Sequence, residues 1–166
     1  DRAGLVGSDG ETHQGVFDLS FLSSIPNMTI MAPKNKWELS DMMKFAINLK
    51  APVAIRYPRG EAYDGLKEHR EVISYGKSEF LFKGKKVAML ALGSQVAVAS
   101  QVRELLKEEE LDITVVNARF AIPFDKEAIR ELCKEHELLV TMEENVASGG
   151  FGEHINAFIK EENLNI

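Results

Sequence analysis

Apolar positions along the 166 residues recur in short blocks, alternately with helical and strand spacing. Residues 1–15, DRAGLVGSDGETHQG, have no apolar period. Gly4, Gly7, Gly10 and Gly15, with turn chemistry at Asp9-Gly10, mark them as a loop. Phe17 to Ile25 fits a short helix ending before Pro26, and Thr29 to Ala32 a buried strand stopped by Pro33. Asn35 stands three residues before Glu38, a capping-box spacing. The helix it opens runs from Lys36 to about Lys50, with Trp37, Leu39, Met42, Met43, Phe45, Ala46 and Leu49 on a broad apolar face. Val53 to Tyr57 is a strand by β-branched content, and Pro58-Arg59-Gly60 a turn.

Residues 61–77 are polar and break the alternation, which makes them the expected domain boundary. The bounds drawn are 1–66, a linker at 67–76, and 77–166. Beyond the linker, Ser78 to Phe82 and Lys86 to Leu92 are strands with a hairpin-like connection at Lys83-Gly84-Lys85. Gly93-Ser94 opens a helix to about Glu110, with Val98, Val102, Leu105 and Leu106 near one face and Lys107 to Glu110 as its solvated end. Ile113 to Val116 is a strand. Asp125 caps a helix reaching Glu135, Leu138 to Met142 is a strand, and Gly149-Gly150 leads a helix to about Lys160. Leu164 to Ile166 begins another strand. The expected fold class is α/β with right-handed crossovers and a mostly parallel sheet.

Charge narrows the function classes. A net charge of −6 does not draw nucleic acid or an anionic membrane, and no apolar run approaches the roughly 20 residues that span a bilayer. The single cysteine, Cys133, rules out an intramolecular disulfide and any Cys-rich zinc site, and suits a reducing, cytoplasmic setting. It is expected to pack in its helix rather than act as a nucleophile. His69, His136 and His154 lack ligand spacing with it and are expected at the surface or at boundaries. An opening on Asp1 rather than Met predicts that the natural protein is longer.

The chemistry concentrates in the first loop. Arg2, Asp9, Glu11 and His13 sit on a Gly-rich backbone that can approach a small polar ligand. Arginine offers a planar fork for phosphate oxygens. An imidazole moves protons near neutral pH, and a neighbouring carboxylate can orient it. Arg56 and Arg59 follow a strand, and ligands of open α/β sheets gather at the carboxyl ends of strands. Ordinary surface pairing with an acidic residue is the plainer expectation for both. Glu143, Glu144 and Asn145 are expected to make a helix-start or interdomain contact, and Gly149, Gly150 and Gly152 to allow close helix–sheet packing, since no P-loop Lys-Ser/Thr follows.

DRAGLVGSDGETHQGVFDLSFLSSIPNMTIMAP, followed by VAIRYPRG, closely resembles the 1-deoxy-D-xylulose-5-phosphate synthase family, thiamine-diphosphate enzymes related to transketolase. TMEENVASGGFGEHI is similar to the same family's C-terminal domain. The resemblance implies the tail of a pyrimidine-binding domain (1–66) followed by a transketolase C-terminal-like domain (77–166). It also implies condensation of pyruvate with glyceraldehyde 3-phosphate to 1-deoxy-D-xylulose 5-phosphate and carbon dioxide, with the cofactor as electron sink. Carried over by motif, Arg2 and Arg59 are expected to hold the acceptor's phosphate. Asp9 and His13 are expected to be catalytic groups facing substrate, His13 the better proton carrier. Thiamine diphosphate and magnesium are expected to be bound mainly by parts outside this chain, and Gly7-Ser8-Asp9-Gly10 is not the metal segment. No residue here is assigned to cofactor or metal. The enzyme is expected to be a homodimer and the isolated chain inactive. Still open are a split transketolase, the β subunit of a 2-oxo acid dehydrogenase, and a noncatalytic interaction module.

Overall fold

The computed structural model describes residues 1–166. In chain order the elements are α1 (Asp18–Leu22), β1 (Thr29–Met31), α2 (Lys36–Asn48), β2 (Val53–Ile55), β3 (Glu79–Phe82), β4 (Lys86–Ala91), α3 (Gln95–Glu108), β5 (Thr114–Asn117), β6 (Phe120–Ile122), α4 (Lys126–Glu135), β7 (His136–Met142) and α5 (Phe151–Glu161). The larger sheet runs β3-β5-β4-β7, with β4 parallel to β5 and β7 and β3 antiparallel to β5. The smaller runs β2-β1-β6, with β1 parallel to β2 and antiparallel to β6. The α/β class with mostly parallel strands is present.

Several local expectations change. β3 and β4 do not form a hairpin, because β5 lies between them. Lys85 N–H reaches Asp112 O at 2.8 Å and Gly84 N–H reaches Thr114 Oγ1 at 2.9 Å, so the connection crosses the start of β5. β4 buries Ala88, Leu90 and Ala91 and takes partners on both edges, as a central parallel strand does. β6 was not expected; three residues are too few to show a period. Leu164 to Ile166 forms no strand, and α1 stops at Leu22.

Two helix faces also differ. α3 turns Val96, Ala99 and Arg103 inward, while Val98 is 40% and Leu105 64% exposed. The small Ala99 lets the helix approach the sheet, and Arg103 lies over the Phe82 ring, 4.3 Å from its centroid, while pairing with Asp112 at 2.7 Å. α2 buries Met42 but leaves Met43 half exposed, and it buries Glu38. Asn35 Oδ1 accepts the Glu38 N–H at 2.9 Å, but Glu38 returns its carboxylate to Lys34 N–H at 2.7 Å, so the capping box is shifted by one residue.

One apolar core spans both sides of the irregular stretch 61–78. Leu19, Ile30 and Ala32 pack with Leu90, Leu92 and Phe151. Beside it lies a closed ionic cluster. Lys34 Nζ contacts Glu38 at 3.0 Å and Glu79 at 2.6 Å; Arg119 contacts the same two carboxylates at 2.8 and 2.9 Å. Asn117 Nδ2 donates to both at 2.9 to 3.2 Å. None of the five is more than 3% exposed. Burial pushes the Glu79 carboxyl up, but the Lys34 hydrogen bond and the Arg119 and Lys34 charges together outweigh it and hold the group below the usual carboxylate range.

His136 is buried rather than superficial: its ring nitrogens pair with Thr114 Oγ1 at 2.7 Å and Leu132 O at 3.0 Å. His69 is half-buried against the Phe82 ring, 5.0 Å between centroids. Cys133 packs in the core, and burial pushes its thiol up, away from the reactive thiolate.

Candidate functional site

Backbone pairing brings the first loop to the end of β2. Arg56 N–H bonds Met31 O at 2.8 Å, continuing the β1–β2 pairing by one residue, and Ala3 N–H bonds Tyr57 O at 3.1 Å. Arg2 and Arg59 therefore stand on adjoining backbone segments. Gly4 and Gly15 exchange two hydrogen bonds of 3.0 Å that close the loop at its base. Gly15 is required there: a Cβ would lie 1.7 Å from the Arg2 carbonyl oxygen. Inside the loop, the Gln14 amide accepts from Val6 N–H at 2.6 Å and donates to Val6 O at 2.7 Å and Gly10 O at 2.6 Å. It holds the segment carrying Asp9 in shape. Sequence reasoning passed over Gln14; the signal was a single amide able to donate and accept within a loop of glycines.

Three of the four expected site residues meet. The Asp9 carboxylate is ion-paired with Arg2 Nε through Oδ2 and with Arg59 Nη1 through Oδ1. Arg2 Nη1 also reaches Asp1, at 2.7 Å to its carbonyl and 2.9 Å to its carboxylate. Arg59 is about half exposed, whereas Asp9 is largely covered. His13 does not join them: it is exposed, and its Nδ1 pairs with Thr12 Oγ1 at 2.9 Å. Asp9 does not orient the imidazole, because two guanidinium groups hold its carboxylate.

Arg56 is not a surface pair. It is buried, with Nη2 donating to Gly15 O at 2.5 Å and to Glu144 O, and Nε facing Asp18 at 3.4 Å. Burial pulls its guanidinium below the ordinary arginine value, and Asp18 opposes that shift. Arg56 thus ties the loop base to the segment after β7. That segment makes contacts of both expected kinds. Glu143 accepts from Phe151 and Gly152 N–H, each at 2.8 Å, at the start of α5. Glu144 bonds the Ser94 hydroxyl and fills the space over Gly4, whose φ of +76° favours glycine in any case. Asn145 accepts from Leu19 N–H at 3.3 Å and donates to Ser20 Oγ at 2.9 Å. Gly152 meets Thr141 of β7 closely, where a Cβ would stand 2.6 Å from Oγ1.

A cavity of about 450 Å³ opens beside the charged trio, lined by Val6, Ser8, Arg59, Gly60 and Glu144. A second, about 410 Å³, lies between the starts of α2 and α3 and the 57–63 turn, with Tyr57, Tyr63, Lys36 and Ser94 on its walls. No group of three or more His, Cys, Asp or Glu side chains is placed to hold a metal ion. No helix is long and apolar enough to cross a membrane.

Residues 1–64 match the family described as transketolase, pyrimidine binding domain, and residues 76–166 match transketolase, C-terminal domain. The chain belongs to the transketolase family. This transketolase-family chain is 52% identical over 161 residues to the 1-deoxy-D-xylulose-5-phosphate synthase of Lachnoclostridium phytofermentans, covering 97% of the chain and 26% of that protein. It is 47% identical over 166 residues to the synthase of Clostridium tetani, covering 100% and 27%. It thus spans about a quarter of the length of the curated relatives it matches. Among solved structures, a split-gene transketolase described as an inactive β4 tetramer superposes with TM-score 0.85 at 28% identity, over 91% of this chain and 50% of that one. A transketolase of Campylobacter jejuni, at 20% identity and TM-score 0.65 over 93% of this chain and 29% of its own, shares the fold.

Proposed function

We propose that this chain supplies the acceptor-phosphate seat of a 1-deoxy-D-xylulose-5-phosphate synthase. The observation that supports this most is the convergence of Arg2 and Arg59 on one anion, at the mouth of a cavity beyond the carboxyl end of β2. In the complete enzyme, pyruvate and glyceraldehyde 3-phosphate would give 1-deoxy-D-xylulose 5-phosphate and carbon dioxide, feeding isoprenoid, thiamine and pyridoxal synthesis. The division follows the sequence: 1–66 as the end of the pyrimidine-binding domain, 67–76 as linker, 77–166 as the C-terminal domain. Thiamine diphosphate, held with magnesium mainly outside residues 1–166, supplies the electron sink. A cytoplasmic homodimer is part of the same reading.

The chain's own residues bind and orient. Two guanidinium forks take the acceptor's phosphate oxygens, each charge-assisted hydrogen bond contributing about 1.5–3 kcal/mol. His13, on the same loop with its ring exposed, is the group to deliver a proton to the acceptor's carbonyl oxygen as the new carbon–carbon bond forms. Asp9 faces the same substrate from beneath the arginines. Arg56, Gln14 and the Gly4–Gly15 pair fix the base and backbone of the loop that carries these groups.

A split transketolase is the second reading, favoured by the 0.85 superposition on a split-gene transketolase. One assay decides. The complete enzyme, given pyruvate with glyceraldehyde 3-phosphate, should form the deoxy sugar phosphate and should not transfer two-carbon units from ketose phosphates. The reverse preference would support the second reading. The isolated chain should show no turnover with either donor.

A further inference from the structure

The charged trio is a paradox for a phosphate seat, because the place of the phosphate is already taken. Asp9 spends one carboxylate oxygen on each arginine. Arg59 has no other ion-pair partner, and the remaining contacts of Arg2 go to Asp1. Within this structure Arg2 Nε and Asp9 Oδ2 have no partner other than each other. The cavity beside Arg59 and Ser8 leaves room for a larger anion.

We propose that Asp9 is an internal anion that sets acceptor specificity. With no acceptor bound, its carboxylate occupies the arginine pair; the acceptor's phosphate displaces it. A phosphate monoester carries about −1.5 to −2 charges and three acceptor oxygens, against one charge and two oxygens for the carboxylate, so it wins the exchange. A neutral aldehyde does not, and an acceptor ending in a carboxylate meets an equal already in place. Discrimination thus comes from competition as well as attraction. The displaced Asp9, on a loop with glycines on either side of the Gly7–Gly10 stretch, is then available to the substrate it faces. This inference rests on reading Arg2 and Arg59 as the phosphate seat.

A scaffold role for Asp9, aligning the arginines for phosphate, predicts the opposite sign in one measurement. Inorganic phosphate is titrated calorimetrically into the complete enzyme, with thiamine diphosphate saturating so that its own diphosphate seat is filled. Wild type, Asp9→Asn, Asp9→Ala, Arg2→Ala and Arg59→Ala are compared. Removing the competing charge should tighten phosphate binding about fivefold or more in both Asp9 variants, while each arginine variant binds more weakly. Unchanged or weaker binding in both Asp9 variants, with weaker binding in the arginine variants, overturns the internal-anion proposal and leaves the seat standing. Unchanged binding in the arginine variants overturns the seat, and this inference with it. If Asp9→Asn fails to fold, Asp9→Ala carries the test. If neither folds, the dependence of the glyceraldehyde 3-phosphate KM on added acetate in wild type replaces it. Acetate should not compete up to concentrations well above those at which sulfate does, and equal competition by the two overturns the proposal.

Discussion

Two groups of cations paired with carboxylates in this molecule are arranged to opposite ends. Lys34, Arg119, Glu38 and Glu79 lie sealed between α2, β3 and the end of β5, with Asn117 donating to both carboxylates. Each carboxylate contacts both cations. Arg2, Asp9 and Arg59 lie at a cavity mouth, where two cations share the Asp9 carboxylate and Arg59 is about half exposed. Desolvating four charges costs several kcal/mol per ion, so the sealed cluster persists only because every charge is matched. It can join the two sides of the 61–78 stretch but has nothing left for a ligand. The open trio, partly exposed, contributes little to holding the fold.

The largest effect that would break this contrast is in the joint. Glu79→Ala should destabilise by about 3–5 kcal/mol in denaturant unfolding, because Lys34 and Arg119 lose a partner while buried. A loss below about 1 kcal/mol would mean that the cluster is wetter than its burial. Joint replacement, Lys34→Met with Glu79→Leu, should cost clearly less than the two single losses added together, a coupling of about 0.5–3 kcal/mol in a double-mutant cycle. Additive losses would show that the pair is not a unit.

Acidity gives a smaller, signed effect. The folded Glu79 carboxyl lies below the usual range, so the folded state binds fewer protons than the unfolded one as it titrates. Its contribution is complete above the unfolded glutamate value of about 4.3 and is lost as pH falls through the folded value. Stability against pH should therefore fall more steeply on the acid side in wild type than in Glu79→Gln. The smallest expected effect is at His13. Since it stands apart from the trio, His13→Ala should leave phosphate affinity within about twofold while lowering kcat. A large loss of affinity would place His13 in the seat.

How much of this could be read from the sequence depended on whether neighbours along the chain were neighbours in space. The loop of residues 1–15 and the RYPRG turn were legible because glycines, turn pairs and a strand end are local signals, and Arg2, Asp9 and Arg59 do meet. His13 was grouped with them by proximity along the loop; the Gln14-pinned backbone holds Asp9 under the arginines and leaves His13 outside. The buried cluster was invisible, since Lys34, Glu79 and Arg119 are far apart in the chain and each reads as an ordinary surface charge. Arg56 failed for the same reason: its partners, Gly15 and Glu144, lie in distant segments and are bound through backbone oxygens. On α3, Val98 and Leu105 drew attention by hydrophobicity, but the sheet accepted the small Ala99 and the aromatic-stacked Arg103 instead.

Whether Arg2 and Arg59 hold the acceptor's phosphate is decided by comparing kcat/KM for D-glyceraldehyde 3-phosphate and for unphosphorylated D-glyceraldehyde, in wild type and in Arg59→Ala, on the complete enzyme with pyruvate saturating. If they do, kcat/KM should fall roughly 10–100-fold for the phosphorylated acceptor, the size of one charge-assisted contact, with the unphosphorylated acceptor changed by about twofold or less. Equal losses for the two acceptors would contradict that role.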